Sequence, residues 1–444
     1  MPATTLTVQT KGIYHHLPTF PAHDGKKYSA IVTGANGISG SAIVDVLAGN
    51  PERWETIYAI SRRPPVSTQP HVKAIAADFL SSPEDIAELL RKEGVKASRL
   101  YILCLLRPTT DKSRPGPLVQ HRRNGRNERY AFAVFLLIDT TNTTTVSLLS
   151  NFLSALTMNG TIPTRFLLQT GGKHYALHLG PTKLPMSEDF PRIPHPNFYF
   201  PQEDALSTWC LQHHSSWTVT RPGFIIGAVK EAFINITYAL AIYATIQKEL
   251  GLALEFPADI AAWDVNKDLS VVKLIAYHAE WAVLTEGAAN QALNIVDDSR
   301  FSWGAFWPIL ASWYEIPYGV PELDEGKYAR VVMPDDAPRG FGGPGVVSVV
   351  WSFERWAGKK EVRDAWERVQ EREGLDVGLN PWRNEKVLRE CFATLDAEIL
   401  GGWGRIESMD KSRRLGWSGW VDTKEGIRDA IEQLAELKMV PNLK

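Results

Sequence analysis

An α/β fold is predicted for this chain: a doubly wound parallel sheet followed by a smaller, mostly helical region. Three observations predict it. Short apolar, β-prone runs alternate with helical spacing from residue 28 onward. A glycine-rich turn joins the first such run to the first helix. Past residue 229 the strand signals thin out and helical, Trp-rich sequence takes over.

Taken in order, KYSAIVTG is the first strand, and SAIVDVLAGN is a helix with Ser39 or Ser41 near its start and Gly49-Asn50 at its end. WETIYAISRRPP is a second strand stopped by prolines, and VKAIAADF a third. SPEDIAELLRKEG is a helix with Ser82 as N-cap and acids in its first turn. RLYILCLL is the fourth strand, TRFLLQTGG the fifth and SWTVTRPGFIIG the sixth. ALNIVDD returns a seventh near 293–297. LLSNFLSALTMNG carries Leu149, Phe152, Leu153 and Leu156 on one helical stripe. This order predicts a Rossmann-type domain over 28–228 plus the returning strand, a tail at 1–27, and a substrate-binding or lid region over most of 229–444. The stretch 107–146 mixes basic, Pro/Gly and Thr-rich pieces and reads as an atypical insertion. PRGFGGPG, 338–345, reads as a loop.

Bulk composition narrows the class. The 444 residues are 44% apolar and 22% charged, with a formal net charge of −2. That balance gives no field suited to nucleic acid or to an anionic membrane surface. No apolar run reaches the roughly 20 residues of a membrane helix; AFAVFLLI is the nearest and is far shorter. Cys104, Cys210 and Cys391 are far apart and form no metal or disulfide pattern, so a reduced, cytoplasmic setting is expected. His15-His16 and His213-His214 lack partners at ligand spacing, and no metal is expected. Fifteen Trp suit either a large core or an aromatic-lined pocket. A homodimer is compatible with the sequence.

The turn IVTGANGISG sets Thr33, Gly34, Asn36, Gly37, Ile38 and Gly40 between a strand and a helix. The first glycine allows the tight turn and the second a close backbone approach to a pyrophosphate. The third lets the helix pack on the strand, and the helix N-terminus favours phosphate charge. A dinucleotide site follows. The second strand ends Ser61-Arg62-Arg63, with no acid for a ribose 2′-hydroxyl. Two guanidiniums and a hydroxyl suit a 2′-phosphate, hence NADPH/NADP+. Asp78 and Phe79, after the third strand, stand where adenine is held. Ile225, at the end of the sixth, completes the set of cofactor residues.

Ligands of such sheets bind beyond the carboxyl ends of the strands, so Gln169, Thr170 and Lys173 emerge beside the reacting ring. NFYFPQED places Tyr199 on the connection from strand five to strand six. The residue four after Tyr199 is Glu203, so a cation for this Tyr has to come from elsewhere, and Lys173 is in place to supply it. Glu203 and Asp204 themselves read as acids of a helix first turn, with Pro201 at N1. His174 reads as local packing or as a cofactor contact.

TGANGISG, SRRP, LQTGGKHY, NFYFPQED and RPGFIIG occur in an order that resembles the progesterone 5β-reductase and iridoid synthase-like (PRISE) proteins, which are atypical extended short-chain dehydrogenases/reductases. LNIVDDSRFSW and LGWSGWVDT are similar to the same group. Phe200 stands where the family has a second Tyr, and 107–146 departs from it. The resemblance implies that Lys173 and Tyr199 are catalytic. It also implies NADPH-dependent reduction of the C=C bond of an enone or enal, on a small apolar carbonyl substrate. Carbonyl reduction, epimerase- or dehydratase-like chemistry, and a non-catalytic NADP(H) sensor are the alternatives. Tyr199-xxx-Glu203 speaks against the YxxxK arrangement of the first two.

Overall fold

The computed structural model describes residues 7–20, 27–95, 100–104, 119–123, 126–130, 141–230, 232–333 and 343–443. Seven strands form one wholly parallel sheet: β1 Tyr28–Thr33, β2 Trp54–Ser61, β3 Val72–Ala76, β4 Leu100–Cys104, β5 Arg165–Gln169, β6 Ser216–Pro222 and β7 Gln291–Ile295. Their order across the sheet is β3-β2-β1-β4-β5-β6-β7. The chain runs outward from β1 to β3, then crosses back to β4 on the other side of β1. That reversal makes the topological switch point, where such sheets open a crevice at their carboxyl ends.

Strand alternation sends neighbouring residues to opposite layers. Ala30 and Val32 of β1 join a core with helices α1 (Ile38–Ala48) and α6 (Val272–Leu284). Ile31 joins a second core with α2 (Pro83–Lys92), α3 (Thr141–Met158) and α4 (Tyr199–Gln212). The stripe Leu149, Phe152, Leu153 and Leu156 is buried there. Ser82 caps α2 by accepting the Asp85 N–H at 3.1 Å, with Glu84 and Asp85 in the first turn, as the sequence predicts.

α5 (Ile236–Glu249) is the NITYALAIYATI run, capped by Asn235. Every residue from Ile236 to Gln247 is buried, which is the environment that an all-round apolar helix needs. Trp303, Trp307 and Trp366 pack in the core that contains it. In this region Lys267 is wholly buried. Its Nζ donates to the Glu398 carbonyl at 2.5 Å, and the Glu398 carboxylate pairs with Arg405.

Two expectations need correction. Residues 7–20 are no tail: Val8–Lys11 and Tyr14–Pro18 form a hairpin whose Tyr14 and Leu17 enter the main core. His15 exchanges backbone bonds with Trp420, so the hairpin is stabilised from the far end of the chain. Second, the atypical stretch 107–146 contains an antiparallel pair, Val119–Arg123 with Arg126–Tyr130, and α3 begins at Thr141 inside it. The rest of that stretch, and most of PRGFGGPG, lie outside the described residues. α1 starts after Gly37, which leaves Ser39 and Ser41 in its first turn, near its start as expected.

Candidate active site

The glycine turn is held by backbone geometry. Gly34 has φ +65°, a conformation that glycine adopts without cost. A Cβ on Gly40 would stand 2.2 Å from the Gly34 carbonyl oxygen, so only glycine lets α1 seat against the turn. A Cβ on Gly37 would lie 3.1 Å from the same oxygen. Gly37 caps α1 without a side-chain acceptor, and α1 has no acid in its first turn. The helix N-terminus is therefore suited to an anion.

The Asn36 N–H donates to Ser61 Oγ at 3.0 Å, and its Nδ2 to the Arg63 carbonyl at 2.8 Å. The glycine turn and the Ser-Arg-Arg end of β2 are thus one unit, with Arg62 and Arg63 exposed. Gln169 Nε2 donates to Ser39 Oγ at 3.0 Å, tying the end of β5 to the start of α1. Its Oε1 is buried and has no hydrogen-bond partner among the described residues, an acceptor left at the crevice. Gly227 lets Ile38 approach the chain after β6: a Cβ there would lie 3.2 Å from Ile38 Cγ1. Ile225, in the short strand Phe224–Ile226, is half-buried two residues earlier. Thr33 is buried at the end of β1. Asp78 is exposed and accepts the Leu80 N–H. Phe79 turns its ring into the core against Phe152, 4.7 Å between centroids, so it offers the crevice only backbone.

At the other end, a tight helical turn, Gly172–Tyr175, follows β5 and carries Lys173. α4 begins at Tyr199. A Cβ on Gly171 would lie 3.2 Å from the Tyr199 hydroxyl and 3.4 Å from the Pro222 carbonyl. The phenol therefore sits over the carboxyl ends of β5 and β6. Asn197 links the two segments: its Nδ2 donates to the Lys173 carbonyl at 2.7 Å, and its Oδ1 accepts the Tyr199 N–H at 3.0 Å. Both Lys173 and Tyr199 are half-buried. Burial, and next the Lys173 ammonium, hold buried His178 well below its ordinary pKa, so Lys173 and His178 share one neighbourhood.

Glu203 corrects the sequence expectation. α4 starts at Tyr199, Pro201 is its third residue, and the first turn carries no acid. Glu203 instead turns inward, 3.2 Å from Arg221 and 3.3 Å from His174 Nδ1, with Arg192 at 3.3 Å from outside. Burial raises its carboxyl, but the His174 contact and the Arg221 charge outweigh that and hold it below its ordinary value. Burial keeps His174 below its own ordinary value, with Glu203 partly offsetting it. Arg221 also reaches the Tyr175 hydroxyl at 3.2 Å, which donates to Asn294 of β7 at 2.7 Å. His174 is therefore a packing residue of this network, edge-on to Phe200, with its Nδ1 facing the Glu203 carboxylate.

The C-terminal region closes on the same turn. Trp403 Nε1 donates to the Leu177 carbonyl at 3.1 Å, and Met186 bonds through its backbone to Ile406 and Ser408. Asn197, Glu203 and Arg221 are the site residues that sequence reading missed. Asn197 had a signal in its place at the head of NFYF; Arg221 had none.

A phenol over two strand ends, a lysine on the adjoining turn and a phosphate-suited helix terminus 130 or more residues earlier in the chain, linked through Gln169 and Ser39, stand together at the carboxyl edge of the sheet. These parts can hold a dinucleotide and polarise a carbonyl.

A family model described as a PRISE-like Rossmann-fold domain matches residues 127–333. The short chain dehydrogenase gsfE of Penicillium aethiopicum is 30% identical over 420 residues, 93% of this chain and 99% of that protein. An (S)-8-oxocitronellyl enol synthase of Nepeta racemosa is 27% identical over 431 residues, 93% of each. The 3-oxo-Δ(4,5)-steroid 5β-reductase of Arabidopsis thaliana is 28% identical over 429 residues, again 93% of each. Among solved structures, UDP-glucose 4-epimerase of Thermotoga maritima superposes with a TM-score of 0.52 at 13% identity, covering 92% of this chain and 99% of that one. WbmG of Bordetella bronchiseptica gives 0.52 at 13%, covering 94% and 97%. At that identity the likeness is one of fold.

Proposed function

The chain belongs to the PRISE-like family of extended short-chain dehydrogenases/reductases, and we propose that within it the protein is an NADPH-dependent ene reductase of α,β-unsaturated carbonyl compounds. The observation that carries this reading is the placement of the Tyr199 hydroxyl over the ends of β5 and β6, with the fourth residue after it a carboxylate and not a lysine. The relatives named for steroid 5β-reduction and enol synthesis support it.

The residues fit the dinucleotide. Gly34, Gly37 and Gly40 leave room for a pyrophosphate at the α1 terminus, where an added Cβ at Gly40 would collide. Ser61, Arg62 and Arg63 would hold a 2′-phosphate. The buried Gln169 Oε1, without a partner among the described residues, would accept from a donor-bearing ligand. When bound, NADPH supplies a hydride for addition to the β-carbon of the substrate.

Tyr199 donates a hydrogen bond to the substrate carbonyl oxygen, where negative charge grows as the enolate forms. A preorganised donor at that oxygen is worth about 10²–10³ in rate. The phenol need not lose its proton in this role. Lys173 adds positive potential and orients Tyr199 and the ribose. The N-terminal domain over 28–228, together with β7, carries the cofactor; the region from 229 onward covers the substrate.

The test is NADPH oxidation over a panel of enones and enals for the wild type, Tyr199→Phe and Lys173→Ala. We expect kcat to fall about 10²-fold or more in Tyr199→Phe, with Kd for NADPH nearly unchanged, and a clear loss in Lys173→Ala. Full activity in both variants would remove this pair from the chemistry. NADPH binding without turnover of any compound would favour the sensor alternative.

A further inference from the structure

Glu203 occupies the place, four residues after the tyrosine, where a YxxxK site carries its lysine, and it is buried rather than solvated, with its side chain 10% exposed. Four residues is one helical turn, so Glu203 lies on the same face of α4 as Tyr199. Its carboxylate meets His174, the residue directly after Lys173, at 3.3 Å. It also meets Arg221 of β6 at 3.2 Å, and both of these partners are at most 5% exposed at the side chain. One carboxylate thus touches the helix that begins with Tyr199, the turn that carries Lys173 and the strand beneath them.

We infer that Glu203 is a positioning residue for the proposed chemistry: it fixes Lys173 relative to Tyr199 through His174 and Arg221, in place of the covalent spacing of a YxxxK helix. Resting on the reading above, this adds a role for a residue that touches neither substrate nor cofactor.

The charges agree with it. Burial lowers the His174 pKa, and its Nδ1, which has no regular hydrogen-bond partner among the described residues, faces the Glu203 carboxylate at 3.3 Å. Arg221 is anchored on its far side by Tyr175 and Asn294. Arg192, 40% exposed, is the outer arm of the same carboxylate, pairs with Asp204 and lies over the Phe200 ring at 4.8 Å. Removing the charge at Glu203 frees the Lys173 turn on one side, and a displacement near 1 Å at a reacting pair costs up to about 10² in rate.

The experiment places 3-fluorotyrosine at Tyr199 and reads its ¹⁹F resonance and titration, with and without NADP+, alongside kcat and KM. Variants are Glu203→Gln, His174→Gln, the two combined, and Arg192→Ala. We expect Glu203→Gln and His174→Gln each to shift the resonance and lower kcat on the order of tenfold, with KM for NADPH within about twofold. The combined variant should lose no more than the worse single one, because both cut the same link. Arg192→Ala, which removes only the outer partner of the carboxylate, should move both readouts clearly less than Glu203→Gln. An unmoved resonance in Glu203→Gln, additive losses in the combined variant, or an equal response to Arg192→Ala would overturn the inference. Should Glu203→Gln fail to fold, His174→Gln, which leaves the Glu203–Arg221 pair intact, decides alone. Should the wild type reduce no enone, the functional reading fails, while the resonance still tests the positioning.

Discussion

The two ends of the crevice are built in opposite ways. The glycine turn is held by backbone: a left-handed Gly34, and a Gly40 whose missing Cβ lets helix and turn touch. The Lys173–Tyr199 end is held by side chains, namely Asn197 between the two segments and the Glu203–His174–Arg221 cluster behind them. A backbone device is all-or-none, because one methyl group destroys it. A side-chain device is graded, because each partner contributes separately. The glycine-turn end should therefore tolerate change at neighbouring surface positions and none at its glycines, whereas the Lys173–Tyr199 end should weaken in steps.

The sharpest way to break the comparison is Gly40→Ala. A Cβ 2.2 Å from a carbonyl oxygen forces α1 off the turn. We expect about 3 kcal/mol or more of lost stability and no measurable dinucleotide binding by calorimetry. An alanine variant with normal affinity would mean that the turn is not rigid. Next in size is the pair Arg62→Ala and Arg63→Ala. Charge-assisted bonds are worth about 1.5–3 kcal/mol, so the double variant should raise Kd for NADPH about a hundredfold and leave NADH binding unchanged. Equal losses for both cofactors would assign the arginines to something other than the 2′-phosphate.

The smallest effect concerns neither end. Lys267 is wholly buried beside Glu398 and Arg405, and burial pulls its pKa down from 10.5 to about 7. Between these values the unfolded state binds more protons than the folded one, so this group makes stability rise with pH above about 7 and leaves it at its lowest below that. Asp268, raised by burial to about 6, works in a lower and opposite window: its contribution falls as pH rises from 3.8 to about 6. Lys267→Met should flatten the upper window alone, as read from urea midpoints between about pH 7 and about pH 9. An unchanged slope would show that the lysine is not the titrating group.

The same contrast explains what was legible in the sequence. The sheet and its glycine turn were readable, because strand alternation, proline stops and glycine spacing are local signals. Lys173 and Tyr199 were readable as residues emerging at one sheet edge, since topology alone brings strand ends together. The hairpin at 8–18 was not, because its support is Trp420, hundreds of positions away. Glu203 was misread for a physical reason: an acid near a helix start matches the dipole rule, and only the position of Arg221 on β6 shows that it turns inward instead. Asn197 uses both ends of its amide on backbone groups, which no side-chain pattern announces.

The proposed chemistry delivers hydride to the β-carbon of the C=C bond and not to the carbonyl carbon. The most direct measurement uses NADPH deuterated at the transferring position, with wild-type protein and an enone or enal substrate, and locates the label by NMR. The account predicts deuterium on the β-carbon of a saturated carbonyl product. Deuterium on the carbinol carbon of an allylic alcohol would contradict it.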